Sequence, residues 1–208
     1  MTATTTLLVI AKEPRPGRVK TRLTPPFTPV EAAALAEAAL ADTLAAVAAT
    51  PARRRVLVLD GAPGPWLPPG FDVVPQCAGG LDERLADAFA GCAGPALLIG
   101  MDTPQVGPDL LDVDFRDCDA YFGPAEDGGF WALGLAEPDP GLLRGVPMST
   151  PDTGAVQRER LVAAGLRVRD LPRLRDVDTA ADAHAVAALA PHGRFAARLA
   201  RCTTAADR

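Results

Sequence analysis

The sequence predicts a three-layer α/β fold with a mainly parallel central sheet. Short apolar segments of the kind that form buried parallel strands recur along the chain. Longer segments with helical character lie between them, and strands that alternate with helices build a sheet covered on both faces. The chain has 208 residues, of which 48% are apolar and 23% charged. That size supports a core without disulfides, so we expect a single domain over residues 1–208.

The individual elements follow from local patterns. The strands are short runs rich in Leu, Val, Ile and Phe, and loops rich in Pro and Gly separate the elements, most clearly at residues 62–70. We predict strands at residues 7–11, 56–59, 71–74, 96–100, 120–123, 130–135 and 166–171, and helices at residues 31–49, 81–92, 154–164 and 180–189. An arginine-rich tail over about residues 191–208 is predicted as an amphipathic helix, packed on the domain or on a partner.

Two helices carry further signals. Thr28 has the residue type of an N-cap, Pro29 that of the first helical position, and Glu31 completes a capping box. The Ala- and Leu-rich segment that follows has high helix propensity. In the helix at residues 81–92, the side chains expected on one apolar face are Leu81, Leu85, Ala88 and Phe89.

Composition and charge exclude several classes of protein. The formal charge is 21 − 26 = −5, so binding to nucleic acid by bulk charge is not expected. No uncharged apolar run reaches the ~18 residues of a membrane span, and residues 1–6 lack the basic region of a signal peptide. We therefore expect a cytoplasmic protein. Four singly spaced cysteines and two histidines are not a zinc or disulfide framework.

A basic loop directly follows the first predicted strand. Residues 12–23 hold five basic residues and one acidic residue, including Lys12 and Lys20, the two lysines of the chain. Ligands of open α/β sheets bind outside the carboxyl ends of the strands. Lysine and arginine side chains suit an oligophosphate, and Gly17 lets the backbone approach a ligand closely. The alternative is a solvated basic loop.

Two acidic loops follow later strands. Asp102 comes after the strand at residues 96–100, where it is placed to hold a divalent cation together with substrate phosphates. Alternatively, it stabilises a turn or caps the helix that begins near Pro108. Residues 123–129 set paired glycines beside two carboxylates, which indicates either a turn that meets a ligand or an ordinary hairpin connection.

A third acidic segment contains Asp176 and Asp178, which share one face if the chain is extended. Thr179 and Asp182 alternatively begin a helix. One cationic loop and three acidic loops combine cations for phosphates with carboxylates for Mg²⁺. That combination is typical of phosphoryl or nucleotidyl transfer, or of glycosyl transfer from a nucleotide sugar.

Five segments, in this order, resemble the radical-SAM/selenodomain-associated transferase family of the GT-A superfamily of nucleotide-diphospho-sugar transferases. They are residues 12–23, Gln76 with residues 79–85, and residues 100–104, 123–129 and 176–179. The chain is also similar, more distantly, to 2-phospholactate guanylyltransferase and molybdenum-cofactor guanylyltransferase. Three departures from the family pattern are Met101 for Ser, Asp82 for Gly, and Phe130-Trp131 for a Tyr pair near the expected acceptor pocket.

The resemblance implies a GT-A fold, a bound Mg²⁺ or Mn²⁺, and roles for particular residues. The implied nucleotide-binding residues are Lys12, Gly17, Arg18, Lys20, Thr21, Arg22 and Gln76. The implied metal ligands are Asp102 and Asp178, with Asp176 next. Asp127, Gly128 and Gly129 would face the acceptor or sugar. Lys20, Asp102 and Asp127 form the implied catalytic set.

Together these features predict a metal-dependent transferase that moves a nucleotidyl group from an NTP to a small phosphorylated or carboxylated acceptor, with release of pyrophosphate. Five cations in one loop fit a triphosphate better than a diphosphate. The alternatives are a glycosyltransferase that uses an NDP-sugar and, ranked lowest, a non-catalytic nucleotide-binding module. The sequence leaves a homodimer open and identifies neither the base nor the acceptor.

Overall fold

The computed structural model describes residues 5–206, with the backbone alone for residues 204–206. The strands in this range are β1 (Thr6–Lys12), β2 (Arg54–Asp60), β3 (Asp72–Pro75), β4 (Ala96–Ile99), β5 (Ala120–Pro124), β6 (Phe130–Leu135) and β7 (Val168–Asp170). The α-helices are α1 (Pro29–Ala49), α2 (Leu81–Ala90), α3 (Pro108–Leu111), α4 (Thr153–Ala163), α5 (Ala180–Leu189) and α6 (Arg194–Ala206).

The strands form one sheet in the order β3-β2-β1-β4-β6-β5-β7. The pairs β1–β2, β1–β4, β2–β3 and β5–β7 are parallel, whereas β6 is antiparallel to both of its neighbours. Parallel register sets Thr6 beside Arg54 and Lys12 beside Asp60. The predicted mainly parallel α/β class is therefore confirmed, with β6 as the reversed strand of the described sheet.

Helices cover both faces of the sheet. Successive residues of β1 point to opposite faces, as a strand requires. Leu7 packs with Leu40 of α1 on one face, whereas Leu8 packs with Phe89 of α2 and Leu161 of α4 on the other. The three layers place the carboxyl ends of β1 and β4 side by side at one edge of the sheet.

The first helix begins as the sequence predicts. The Thr28 hydroxyl accepts the backbone N–H of Glu31 at 3.3 Å, and the Glu31 carboxylate accepts the backbone N–H of Thr28 at 2.8 Å. These reciprocal bonds satisfy two N–H groups that the first turn leaves without helical partners. The capping box is therefore confirmed.

The tail helix α6 packs on the protein itself, which decides between the two placements that the sequence left open. Leu35 of α1 lies in one buried cluster with Val186 of α5 and with Phe195 and Leu199 of α6. Because α1 is enclosed between the sheet and these two helices, both of its faces are apolar. Helix α1 therefore has the length and apolar composition of a membrane span. Within its most apolar 18-residue segment, however, 61% is buried inside the protein.

Three details differ most from the predictions. The helix expected at residues 81–92 ends at Ala90, and the strand expected at residues 166–171 is shortened to Val168–Asp170. Leu81, expected on the buried face of α2, is 44% exposed. The reason is its position, because α2 begins at Leu81 and this first residue lines the cavity described below.

The N-cap of α1 gives a test of local stability. Replacing Thr28 with Ala removes the side-chain acceptor and should lower the free energy of unfolding by about 1 kcal/mol. Urea denaturation measures this difference. Thr28→Ser keeps the hydroxyl and should retain most of the stability, so equal losses in the two variants would contradict the role of the cap.

Candidate functional site

A cavity of about 550 Å³ opens at the carboxyl ends of β1 and β4. The chain passes from β1 to β2 on one side and later returns to β4 on the other, and ligands of open α/β sheets bind at such a switch point. Eight of the predicted site residues line this cavity: Lys12, Arg18, Lys20, Thr21, Arg22, Gln76, Asp102 and Asp178.

Lys20 is the central side chain of the cavity. Its Nζ lies 2.8 Å from Asp102 Oδ2 and 3.0 Å from Asp178 Oδ1, and its side chain is 10% exposed. The Lys20 backbone is left-handed, with φ 48° and ψ 41°, which is uncommon for a residue with a side chain. Such a conformation costs on the order of 1 kcal/mol, so the surrounding structure must hold it in place.

The two acidic partners of Lys20 are positioned by backbone contacts. The carbonyl of Asp102 accepts the N–H of Val177 at 3.0 Å, which ties the end of β4 to the segment before α5. Val177 is buried at 2% exposure, and its neighbour Asp178 faces the cavity. The Thr179 hydroxyl accepts the N–H of Asp182 at 3.2 Å, so this segment both contributes to the site and begins a helix.

Electrostatics keep the Lys20 ammonium charged. Burial by itself lowers the pKa of Lys20, but the negative charges of Asp102 and Asp178 and their hydrogen bonds outweigh it, and the pKa is raised. Arg22 Nη1 lies 3.2 Å from Asp178 Oδ2, so each oxygen of Asp178 faces a cation.

Asp176 has a different environment. Its Oδ1 is buried and has no hydrogen-bond partner among the described residues. The pKa of Asp176 is raised to about 7. Burial is the largest cause, and the negative charges of Asp102, Asp127 and Asp178 also raise it, whereas the positive charge of Lys20 lowers it. The negative charges of three other carboxylates therefore act on this one.

These carboxylates fit a divalent cation by their chemistry. Oxygen ligands are those that Mg²⁺ and Mn²⁺ prefer, and the buried oxygen of Asp176 has a bonding capacity that the described protein atoms do not meet. In the described part of the chain, however, no three acidic, histidine or cysteine side chains form a preformed ligand group. In this structure the positively charged side chains of Lys20 and Arg22 balance the negative charge of Asp178.

Gln76 and Arg84 form a second polar part of the cavity. Gln76 Nε2 donates to the carbonyls of Ala11 at 2.7 Å and Val58 at 3.1 Å, and its Oε1 accepts from Arg84 Nη1 at 3.3 Å. The sequence did not predict Arg84 as a site residue, because an arginine within a helix is usually a solvent-exposed surface residue. Ser149 also lines the cavity and was missed, because it lies in a loop without a recognisable pattern.

The predicted acceptor turn does not contribute to the described lining of this cavity. The described lining residues do not include Gly17, Asp127, Gly128, Gly129 or Asp176. Residues 125–129 close the β5–β6 hairpin, because Ala125 N–H donates to the Gly129 carbonyl at 3.0 Å. These residues therefore connect two paired strands, and the role of the turn in binding an acceptor stays a prediction.

The two glycines of the hairpin line a separate cavity of about 390 Å³ that also contains Arg158 and Arg173. Gly128 has a φ of 91°, and a side chain there would collide with the Pro151 carbonyl. The charge of Asp127 still affects the pKa of Asp176.

Three other residues have structural roles. Arg15 pairs with Glu13 at 2.6 Å and lies outside the main cavity, so the basic loop contributes four of its five cations to that cavity. Asp82 accepts the N–H of Gly145 at 2.8 Å. Trp131 is buried at 2% exposure and donates from Nε1 to the Pro172 carbonyl at 3.0 Å.

Solved structures with this fold define its class. A protein from Desulfovibrio desulfuricans G20, provisionally described as a nucleotide-diphospho-sugar transferase, has a TM-score of 0.85 and 26% identity over 97% of this chain and 95% of that chain. A CTP complex of CMP:2-keto-3-deoxy-manno-octonic acid synthetase has a TM-score of 0.58 and 12% identity, with coverages of 91% and 99%. The manganese complex of Rv0371C from Mycobacterium tuberculosis H37Rv has a TM-score of 0.52 and 21% identity, with coverages of 89% and 98%. The chain therefore has the fold of nucleotide-diphospho-sugar transferases and nucleotidyltransferases.

Within that class, residues 32–150 match the family described as "Uncharacterized protein conserved in bacteria (DUF2064)". The match covers more than half of the chain, so the chain belongs to this family. It includes Gln76, Asp102 and Asp127, whereas the basic loop and Asp178 lie outside it. None of the curated protein sequences is significantly similar to the chain.

The buried carboxyl of Asp176 predicts a pH-dependent stability. Its pKa is about 7 in the folded protein and about 3.9 in an unfolded chain. The folded state therefore keeps a proton that the unfolded state releases, and this contribution to stability is lost as the pH rises through 7. In metal-free buffer, calorimetry should show Tm falling between about pH 5 and about pH 8, and the fall should be smaller in Asp176→Asn. Asp112→Asn, an exposed control, should behave as the wild type, and equal falls in all three proteins would contradict the buried environment of Asp176.

Proposed function

We propose that the protein is a metal-dependent nucleotidyltransferase that moves a nucleoside monophosphate from an NTP to a small phosphorylated or carboxylated acceptor. One observation carries the proposal: a single cavity of about 550 Å³ holds four cations of the basic loop and two carboxylates from distant segments. These residues are Lys12, Arg18, Lys20, Arg22, Asp102 and Asp178.

The basic loop is suited to hold phosphates. The protein carries a net charge of −5, yet this loop concentrates positive charge where the strands end. The Arg22 side chain is 76% exposed and can turn toward a ligand without a large desolvation cost. Lysine point charges and arginine forks together match the oxygens of a triphosphate.

The carboxylates are suited to a divalent cation. Asp102 and Asp178 line the cavity and would hold it, and Asp176, two residues before Asp178, offers a buried oxygen that has no partner among the described residues. When bound, Mg²⁺ or Mn²⁺ neutralises phosphate charge and draws electrons from the phosphorus under attack. The manganese complex of a protein with the same fold is consistent with this assignment.

The chemistry needs no nucleophilic side chain. An acceptor oxygen that is already ionised attacks the α-phosphorus, and the bond between that phosphorus and the oxygen leading to the β-phosphate breaks. Lys12 and Arg18 would stabilise the charge on the departing pyrophosphate. Catalysis then consists of positioning and charge stabilisation. Asp127 and the Gly128-Gly129 turn would face the acceptor from the neighbouring hairpin.

Glycosyl transfer from an NDP-sugar is the second candidate, because the similar protein from D. desulfuricans G20 is provisionally described as a nucleotide-diphospho-sugar transferase. The same cavity would then hold a diphosphate. A non-catalytic nucleotide-binding module ranks lowest, and it predicts nucleotide binding that survives Asp102→Ala with no turnover by the intact protein.

Pyrophosphate release tests the reaction. Each of the four NTPs is incubated with Mg²⁺, the protein and a small-molecule extract as the source of acceptor. We expect extract-dependent release with at least one NTP and its loss in Asp102→Asn, because that variant lacks a metal ligand. Asp109→Asn, exposed and outside the cavity, serves as the control. Thermal stabilisation by NDP-sugars alone, without pyrophosphate release, would replace this proposal with glycosyl transfer.

Lys20 provides a test of phosphate binding. In a buffer free of divalent metal, Lys20→Ala should weaken NTP binding by about 1.5–3 kcal/mol, the scale of a charge-assisted hydrogen bond. Calorimetric titration measures this change. Arg116→Ala removes an exposed cation outside the cavity and should bind as the wild type does. Unchanged affinity in Lys20→Ala would remove this lysine from the nucleotide site.

A further inference from the structure

We infer that Lys20 occupies the cation position between Asp102 and Asp178 while the nucleotide is absent, so that a divalent cation and a nucleotide enter the site together. The inference rests on the proposed function and adds to it a rule for the order of binding. It assigns Lys20 two partners in turn, first the carboxylates and then the phosphates.

The distances show why Lys20 and a metal exclude each other. Nζ lies 2.8 Å from Asp102 Oδ2 and 3.0 Å from Asp178 Oδ1. Mg²⁺ binds oxygen ligands at about 2.0–2.1 Å. A metal ion that bridged these two oxygens would therefore lie in the space that the ammonium fills, and the two positive charges would repel at contact distance.

A metal ion is no better able to bind the second oxygen of Asp178, Oδ2. Arg22 Nη1 lies 3.2 Å from Asp178 Oδ2, so each oxygen of that carboxylate already has a cationic partner. The Lys20 side chain is 10% exposed, and a buried ammonium does not give up two carboxylates without a replacement. A divalent cation that binds Asp102 and Asp178 together must therefore displace Lys20 into surroundings that leave its charge unpaired.

A nucleotide removes this obstacle. Its phosphates would enter beside Lys12 and Arg18, which line the same cavity as Lys20. The flexible four-carbon stem of Lys20 lets the ammonium turn to the phosphate oxygens. The two carboxylates are then free to bind the divalent cation that accompanies the nucleotide. Because coupling between two ligands is reciprocal, each should raise the affinity of the other.

The first experiment measures Mn²⁺ binding without nucleotide, by electron paramagnetic resonance of the free ion. Lys20→Met removes the competing ammonium and should bind Mn²⁺ at least tenfold more tightly than the wild type. Lys12→Met removes the other lysine, which lines the same cavity but does not take part in the ion pairs of Lys20 with the two carboxylates, and should raise the Mn²⁺ affinity much less. Equal affinities in Lys20→Met and the wild type would overturn the inference, as would an equal gain in Lys12→Met.

A second experiment uses the wild-type protein and so does not depend on the folding of a variant. The chain contains two lysines, so ¹⁵N labelling of lysine side chains gives two ammonium positions to follow by NMR. The Lys20 signal should persist when Mg²⁺ alone is added at a few millimolar. It should shift when Mg²⁺ is added with the NTP that binds. Displacement of Lys20 by Mg²⁺ alone would overturn the inference.

The two proposals fail in different ways. If NTP-dependent pyrophosphate release occurs but Lys20→Met and the wild type bind Mn²⁺ equally, the inference fails and the transferase proposal stands. If Lys20→Met binds Mn²⁺ at least tenfold more tightly but no NTP binds, Lys20 does exclude the metal and nucleotidyl transfer is refuted.

Discussion

The ion pairs of Lys20 with Asp102 and Asp178 are the constraint on which the site depends. They join three segments that are far apart in sequence: the loop after β1, the end of β4 and the residues before α5. The ammonium is nearly buried and held by two carboxylates, so moving any one segment would leave a charge without its partner. Three solvent-facing loops thereby become one charged cavity.

The fold supplies the rest of this arrangement. β1 lies inside the sheet with β2 and β4 on either side, which brings the basic loop and Asp102 to the same edge. Helix α1 follows the basic loop directly and is enclosed between the sheet and the two C-terminal helices, so the loop is anchored at both ends. At the neighbouring hairpin, Gly154 N–H donates to the Gly128 carbonyl at 2.8 Å, and the start of α4 thereby supports the turn that holds Asp127.

The strands and the start of the first helix could be predicted because neighbouring residues determine them. Continuous apolar runs indicate buried strands, and the Thr28 to Glu31 spacing fixes the start of α1. Contacts between distant segments leave no such pattern. The reversal of β6, the exposure of Leu81 and the place of Arg84 in the cavity depend on how elements pack. The resemblance to known transferases implied Asp102 and Asp178 as ligands of one metal, but it could not show that Lys20 bridges them or that Oδ1 of Asp176 is buried.

The most direct test of this site is a crystal structure of the protein with Mn²⁺ and a non-hydrolysable analogue of the NTP that binds, with the metal located by its anomalous scattering. We expect manganese on Asp102 and Asp178, the phosphates in contact with the basic loop, and the Lys20 ammonium turned from the carboxylates to the phosphates. A nucleotide bound elsewhere, with Lys20 still between the two carboxylates, would contradict it.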